Sequence, residues 1–169
     1  MAITQRKMTK GIIFISAFFI LVFILLKGCL ITGGTHGSIK GYQYSVSKYV
    51  LDSAVKVAIA SNSNISNDTS IGYYNDGQSY ITINIKQPDM NYNYIFRYYG
   101  GPETWDSSPA LSELFICYAY DGNGNGGSEG GGEVDWFHWN LRKRLLRPFE
   151  KELITAVDSI LKVKHSKPD

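Results

Sequence analysis

The densest chemistry in the chain lies in one run, Asp121-Gly-Asn-Gly-Asn-Gly-Gly-Ser-Glu-Gly-Gly-Gly-Glu133. Asp121, Asn123 and Asn125 set oxygens at alternate positions, Gly126 permits a sharp turn, and Glu129 follows. Such oxygen donors suit a hard cation, so these four residues form a candidate calcium site. Only Asp121 and Glu129 are charged, and the glycines raise the ordering cost, so the expected affinity is millimolar. The same run spells G-x-G-x-x-G over Gly122–Gly127 and G-x-S-x-G over Gly126–Gly130. A dinucleotide loop needs a helix opening at its third glycine inside a βαβ unit. A nucleophile elbow needs a strand–serine–helix turn in a parallel sheet. More glycines follow here instead, so neither chemistry is expected.

The first half of that run resembles an EF-hand calcium loop, with Gly132 at the twelfth position and Glu133 one residue later. Beyond it, Trp136-Phe137-His138-Trp139 precedes Arg142, Lys143, Arg144 and Arg147. Aromatics beside cations suit a membrane interface or a partner surface. Trp136, Trp139, Arg142 and Arg144 are therefore candidate contact residues. His138 lacks an i, i+4 carboxylate–histidine pattern for zinc, and His36 and His165 stand alone in segments expected to be loop and tail. Cys117 sits in the apolar setting LFICYAY, where a buried inert thiol is expected. No paired acid and base or nucleophile set emerges, so the chain is read as a binding protein without a cofactor rather than an enzyme.

The elements that must position these residues follow from periodicity. Ser47 reads as an N-cap, and Val50, Leu51, Ala54, Val55, Ala58 and Ile59 recur at helical spacing, predicting a helix over about Ser47–Ala60. The polar stretch SNSNISNDTS after it is expected to bury nothing. Ile81, Ile83 and Ile85 alternate with Tyr80, Thr82, Asn84 and Lys86, the pattern of a strand with one wet face. Asn75-Asp76-Gly77 marks a tight turn that makes Ile71–Tyr74 a hairpin partner. Asn93–Tyr99 and Ser112–Tyr120 read as further strands, the latter central, with Gly100–Ala110 a loop. Leu141, Leu145, Phe149, Leu153, Val157, Ile160 and Leu161 predict a long final helix. Pro148 either kinks it or opens a second one. The expected class is α+β, a two-layer fold with an antiparallel sheet of three to four strands and two helices on one face. The chain has twelve tyrosines. Two helices cannot cover all those on the strands, so the open face with Tyr80, Thr82 and Asn84 is a candidate surface for an envelope protein or a glycan.

Gly11–Leu26 is an uncharged, almost wholly large and apolar stretch of sixteen residues. As a helix it rises about 24 Å, short of the ~30 Å hydrocarbon core. Arg6, Lys7 and Lys10 precede it and no acid occurs before Asp52, so the chain beyond Lys27 is expected on the exported side. Leu26-Lys27-Gly28-Cys29 follows, with an aliphatic residue three before the cysteine and a small one just before it. This resembles the lipobox of small exported bacterial lipoproteins, and the resemblance implies a cleaved chain lipidated on Cys29. Lys27 stands where that pattern has a small uncharged residue. The alternative is an uncleaved signal-anchor extended by Leu30 and Ile31. Either way residues 1–29 form a signal or anchor, 30–46 a glycine-containing tether and 47–169 the domain, with the lipid bilayer as first partner.

Charge narrows the function further. Four of the 17 Lys and Arg precede Cys29, leaving 13 against 15 Asp and Glu, a net −2 for the exported part. That removes the electrostatic case for nucleic acid. The acids concentrate before Leu141, and residues Arg142–Lys167 carry eight basic against three acidic residues. A basic helix of that kind suits anionic headgroups or an acidic partner. The reading is a membrane-anchored cell-envelope protein, possible also in a periplasm, that binds or scaffolds. The alternative is a ligand-binding or weak calcium-binding envelope domain.

Overall fold

The computed structural model describes residues 38–68, 80–107, 110–128, 134 and 138–168. Gly37–Asp169 forms one compact unit. Its elements in order are β1 (Lys40–Tyr44), α1 (Lys48–Ser61), β2 (Ile65–Asn67), β3 (Ile81–Lys86) and β4 (Asn91–Tyr98). Then come α2 (Pro102–Ser107), β5 (Ser112–Asp121), β6 (Gly126–Gly127) and α3 (Trp139–Phe149). A π-helical turn (Glu150–Ile154) leads into α4 (Thr155–Leu161). The class is α+β with an antiparallel sheet, as the sequence suggested.

The sheet is larger than the three to four strands expected. Among the described residues six strands pair, in the order β1-β5-β4-β3-β2, with β6 also on β5. The extra strands come from segments whose composition hid them. Lys40–Tyr44 lies in the stretch assigned to the tether, yet pairs with β5 in the register Tyr42↔Leu114, and both tyrosines are buried. Ile65 belongs to the polar stretch expected to bury nothing, yet it pairs with Ile85 and is buried. A short helix, α2, interrupts the expected loop Gly100–Ala110. The proposed hairpin partner Ile71–Tyr74 lies outside the described residues.

The alternation on β3 holds. Ile83 and Ile85 are fully buried and Ile81 packs on the core, while Thr82 and Asn84 are half-buried on the other side. On β5 the parity changes midway. Phe96 faces Ile116 but Ile95 faces Tyr118, so Cys117 is an extra residue, a β-bulge. Leu114 and Ile116 enter the core before it; Ala119 and Asp121 do so after it. Without the bulge, Asp121 would point away from the helices.

Ser47 caps α1 as expected, its hydroxyl accepting from Val50 N at 3.4 Å. Leu51, Ala54, Val55, Ala58 and Ile59 join the same core cluster as Leu145, Phe149, Leu153 and Val157 of the C-terminal rod. Phe149 is its centre, with ring centroids 5.0 Å from Tyr94, 5.4 Å from Phe96 and 5.9 Å from Tyr42.

The rod resolves both alternatives at Pro148 in an unexpected way. Pro148 is buried inside α3 and the helix runs on, through a π turn. Leu145, Phe149, Leu153 and Val157 are four residues apart and all fully buried. In an α-helix such a row drifts about 40° per step, and one extra residue in a π turn sets it back by about 100°. The π turn therefore keeps the apolar row on the sheet. Tyr94 sits at the break: its hydroxyl donates to Leu145 O at 2.7 Å and also meets the Phe149 N–H. A side chain inserted between two groups that would otherwise bond each other opens the helix locally.

Lys162, at φ 55°, ends α4 in the left-handed region. The tail then returns along the edge of β1, where Gln43 and Ser166 exchange backbone bonds of 3.0 and 2.9 Å. It crosses Gly41 so closely that a Cβ there would lie 2.7 Å from Pro168 Cγ. His165, expected in a frayed tail, is instead held by Asp158 and packs edge-on against Tyr42 at 5.3 Å.

Candidate functional site

The sites divide according to which way the C-terminal rod turns its charges. Its acids turn inward. Glu152 is buried and accepts from Asn62 Nδ2 at 3.0 Å, Gln87 Nε2 at 3.1 Å, Asn64 Nδ2 at 3.3 Å and Lys151 Nζ at 3.0 Å. The Asn62 bond is the main reason its carboxyl is held down at about 2; burial opposes this, and the other donors add to it. One carboxylate thus joins the end of α1, the start of β2, the β3–β4 turn and the π turn.

Glu150 takes Lys40 Nζ and the Tyr42 hydroxyl, the latter at 3.1 Å. Asp158 takes the Tyr44 hydroxyl and His165 Nδ1, both at 2.9 Å. Burial first, and then these carboxylates, push the Tyr42 and Tyr44 phenols far above their ordinary value. Both remain neutral donors at any physiological pH, which suits fastening the rod to β1 rather than proton transfer.

Asp121 serves the same end. Its side chain is fully buried, with Oδ1 accepting from Asn123 N and Asn125 N at 3.0 Å and Oδ2 from Asn125 Nδ2 at 3.0 Å and Arg144 at 2.8 Å. Burial alone would raise its pKa, but the Asn125, Asn123 and Arg144 partners outweigh it and hold the carboxyl below the usual range. The calcium reading of Asp121, Asn123, Asn125 and Glu129 is not supported by this geometry. Both carboxylate oxygens face N–H donors, and a guanidinium stands where a cation would. Glu129 lies outside the described residues. Among the described residues no three His, Cys, Asp or Glu groups converge to hold a metal.

The cations turn outward. Trp139, Lys143, Arg147 and Lys151 follow one another at four-residue spacing, all exposed. Asn140, Lys143, Arg144, Arg147 and Lys151 also line a groove of about 490 Å³ against Gln87, Pro88 and Asp89 of the β3–β4 turn and Tyr92 of β4. Lys143 and Arg147 make no ion pair among the described residues, and Lys151 remains 67% exposed beside Glu152.

The structure separates the contact residues chosen from the sequence. Arg142 donates to the backbone carbonyl of Ile39, and Arg144 is tied to Asp121. Both fasten the rod. Among the described members of that group, Trp139 stands free, at 66% exposed. Lys143, Arg147 and Lys151 were missed as a set, although their four-residue spacing from Trp139 was the available signal. Tyr80, Thr82 and Asn84 lie together on the face opposite the helices, half-buried. Asn84 Nδ2 donates to Asn93 Oδ1 at 2.8 Å, and the Arg97 guanidinium lies 5.9 Å from the Tyr80 ring and 4.7 Å from that of Phe115. That face is drier than expected, since Ile95, Phe115 and Cys117 are buried. Cys29 and Trp136 lie outside the described residues, as does Gly11–Leu26; no described helix is long and apolar enough to cross a membrane. No family model, curated protein or solved structure matches the chain.

Proposed function

We propose that the chain is a membrane-anchored protein of the cell envelope whose exported α+β domain binds a partner, and that it is neither an enzyme nor a cofactor carrier. The observation that carries this is the sequence of Gly11–Leu26, uncharged and almost wholly apolar, between Arg6, Lys7 and Lys10 and the lipobox-like Leu26-Lys27-Gly28-Cys29. The domain's own chemistry supports a binding role. Asp121, Glu150, Glu152 and Asp158 are each engaged by donors that fasten one element to another. The exposed cations of the C-terminal rod, Lys143, Arg147 and Lys151, instead form one cationic surface. The two-layer arrangement is read as leaving the face of Tyr80, Thr82 and Asn84 as a second, weaker contact surface.

Metabolic labelling with a fatty acid is the test. Label should enter the wild-type chain and vanish in Cys29→Ser. Equal labelling of the variant would sink the lipoprotein assignment. A chain unlabelled yet retained in membranes would favour the uncleaved signal-anchor.

A further inference from the structure

We propose that the outer ridge of the C-terminal rod, Trp139, Lys143, Arg147 and Lys151, docks on an anionic phospholipid surface, laying the domain against the membrane that anchors it. This rests on the anchoring just proposed and names the surface that the cationic ridge meets.

The ridge is single-signed because of how the rod is built. Between Trp139 and Ile154 the acids are Glu150 and Glu152. Lys40 and Tyr42 hold the first, which is 37% exposed, and Asn62, Asn64, Gln87 and Lys151 hold the buried second, so both carboxylates are engaged within the domain. The inward row Leu145, Phe149 and Leu153 fixes the rod's rotation on the sheet. Trp139, Lys143, Arg147 and Lys151 are consequently held outward as a rigid line. Arg144 flanks it, half-exposed even in its ion pair with Asp121. Asp89 is the acid among the groove residues beside it.

A row of long cations ending in an exposed indole matches the headgroup layer. The ammonium and guanidinium groups meet phosphates, and the amphipathic ring settles at the level of the glycerol backbone. An acidic protein would satisfy the cations equally well, but gives Trp139 no assigned partner. Tethering favours the bilayer, because an anchored domain meets it at high effective concentration and modest attraction suffices. Each Lys or Arg near an anionic surface favours docking roughly fivefold, so Lys143, Arg147 and Lys151 together supply about a hundredfold.

The full chain reconstituted in vesicles provides the test, with phosphatidylcholine alone or with about a third phosphatidylglycerol. Acyl chains brominated near the headgroup report tryptophan depth, and Trp139→Phe identifies the Trp139 share. Quenching of Trp139 should be strong with phosphatidylglycerol, weak without it, and reduced by raised salt. Lys143→Gln/Arg147→Gln/Lys151→Gln should lower the docked-to-undocked ratio about a hundredfold while circular dichroism stays unchanged. Equal quenching in both vesicles, or an unaffected triple variant, would overturn the proposal; an unquenched Trp139 would do so in favour of an acidic protein partner. Release of the chain from both vesicles by a high-salt wash, with anionic-lipid-dependent quenching at low salt, would sink the anchor and leave the ridge standing.

Discussion

Replacing Glu152 by Gln probes the rod's main polar fastening. The substitution keeps the shape of the side chain but exchanges a four-donor acceptor for an amide with one acceptor atom. Its new N–H₂ takes the place either of Oε2, which Asn62 and Asn64 share, or of Oε1, which serves Gln87 and Lys151, so one pair of donors loses its acceptor and faces another donor. The carboxyl's fall from 4.5 to about 2 sets the scale. At about 1.4 kcal/mol per pH unit, that gap corresponds to roughly 3 kcal/mol in favour of the charged, folded form. With relaxation of the neighbours, the expected loss at pH 7 is on the order of 2–3 kcal/mol. Because the folded value is depressed, this contribution is present above 4.5 and disappears as pH falls from 4.5 towards 2. Urea denaturation of the compact unit Gly37–Asp169 across that window should show an acid limb in the wild type and a flatter one in Glu152→Gln. A variant of unchanged stability at pH 7 with an intact acid limb would refute the reasoning.

Tyr94→Phe removes the hydroxyl between Leu145 O and Phe149 N and should cost about 1–3 kcal/mol in the same denaturation assay; no loss would mean that the helix closes its own bond. Ile83→Ala should cost about 2–5 kcal/mol and Thr82→Ala under about 1, and equal costs would mean that the two faces of β3 had been exchanged. Thermal unfolding in sub-millimolar calcium should match unfolding in chelator, because Asp121 is already filled by N–H donors; a rise of several degrees, lost in Asp121→Ala, would restore the cation site. Phe149→Ala empties the meeting point of three aromatic rings and should cost about 3–5 kcal/mol, which differential scanning calorimetry would register.

The sequence revealed those parts of the fold whose signal is local. The helix after Ser47, the two faces of β3 and the apolar row of the rod all follow from spacing within one element. The strands it concealed are short and polar in composition. Lys40–Tyr44 has its partner, Ser112–Ile116, far along the chain in β5, and the glycines Gly37 and Gly41 suggested a tether. Ile65 is a lone apolar residue whose burial depends on β3 and α1. The bulge at Cys117 appears only when β4 supplies the register. At the surface, the cations chosen from the sequence, Arg142 and Arg144, are tied to Ile39 and Asp121, whereas Lys143 and Arg147 are exposed. Arg142 and Arg144 differ from Lys143 and Arg147 only in rotation about the rod, and what fixes that rotation is Phe149 against the sheet and Tyr94 at the π turn. The calcium-like run shows a related dependence: its oxygen spacing is local, but Arg144, distant in sequence, pairs with Asp121.

Anchoring on the exported side is the claim on which the rest of the function depends. Mass measurement of the intact chain extracted from the membrane fraction tests it most directly. The account predicts a chain that begins at Cys29 and carries covalent acyl groups. A membrane-bound chain that retains Met1 would replace the lipid anchor by the uncleaved span, and a chain recovered unmodified from the soluble fraction would contradict the anchoring itself.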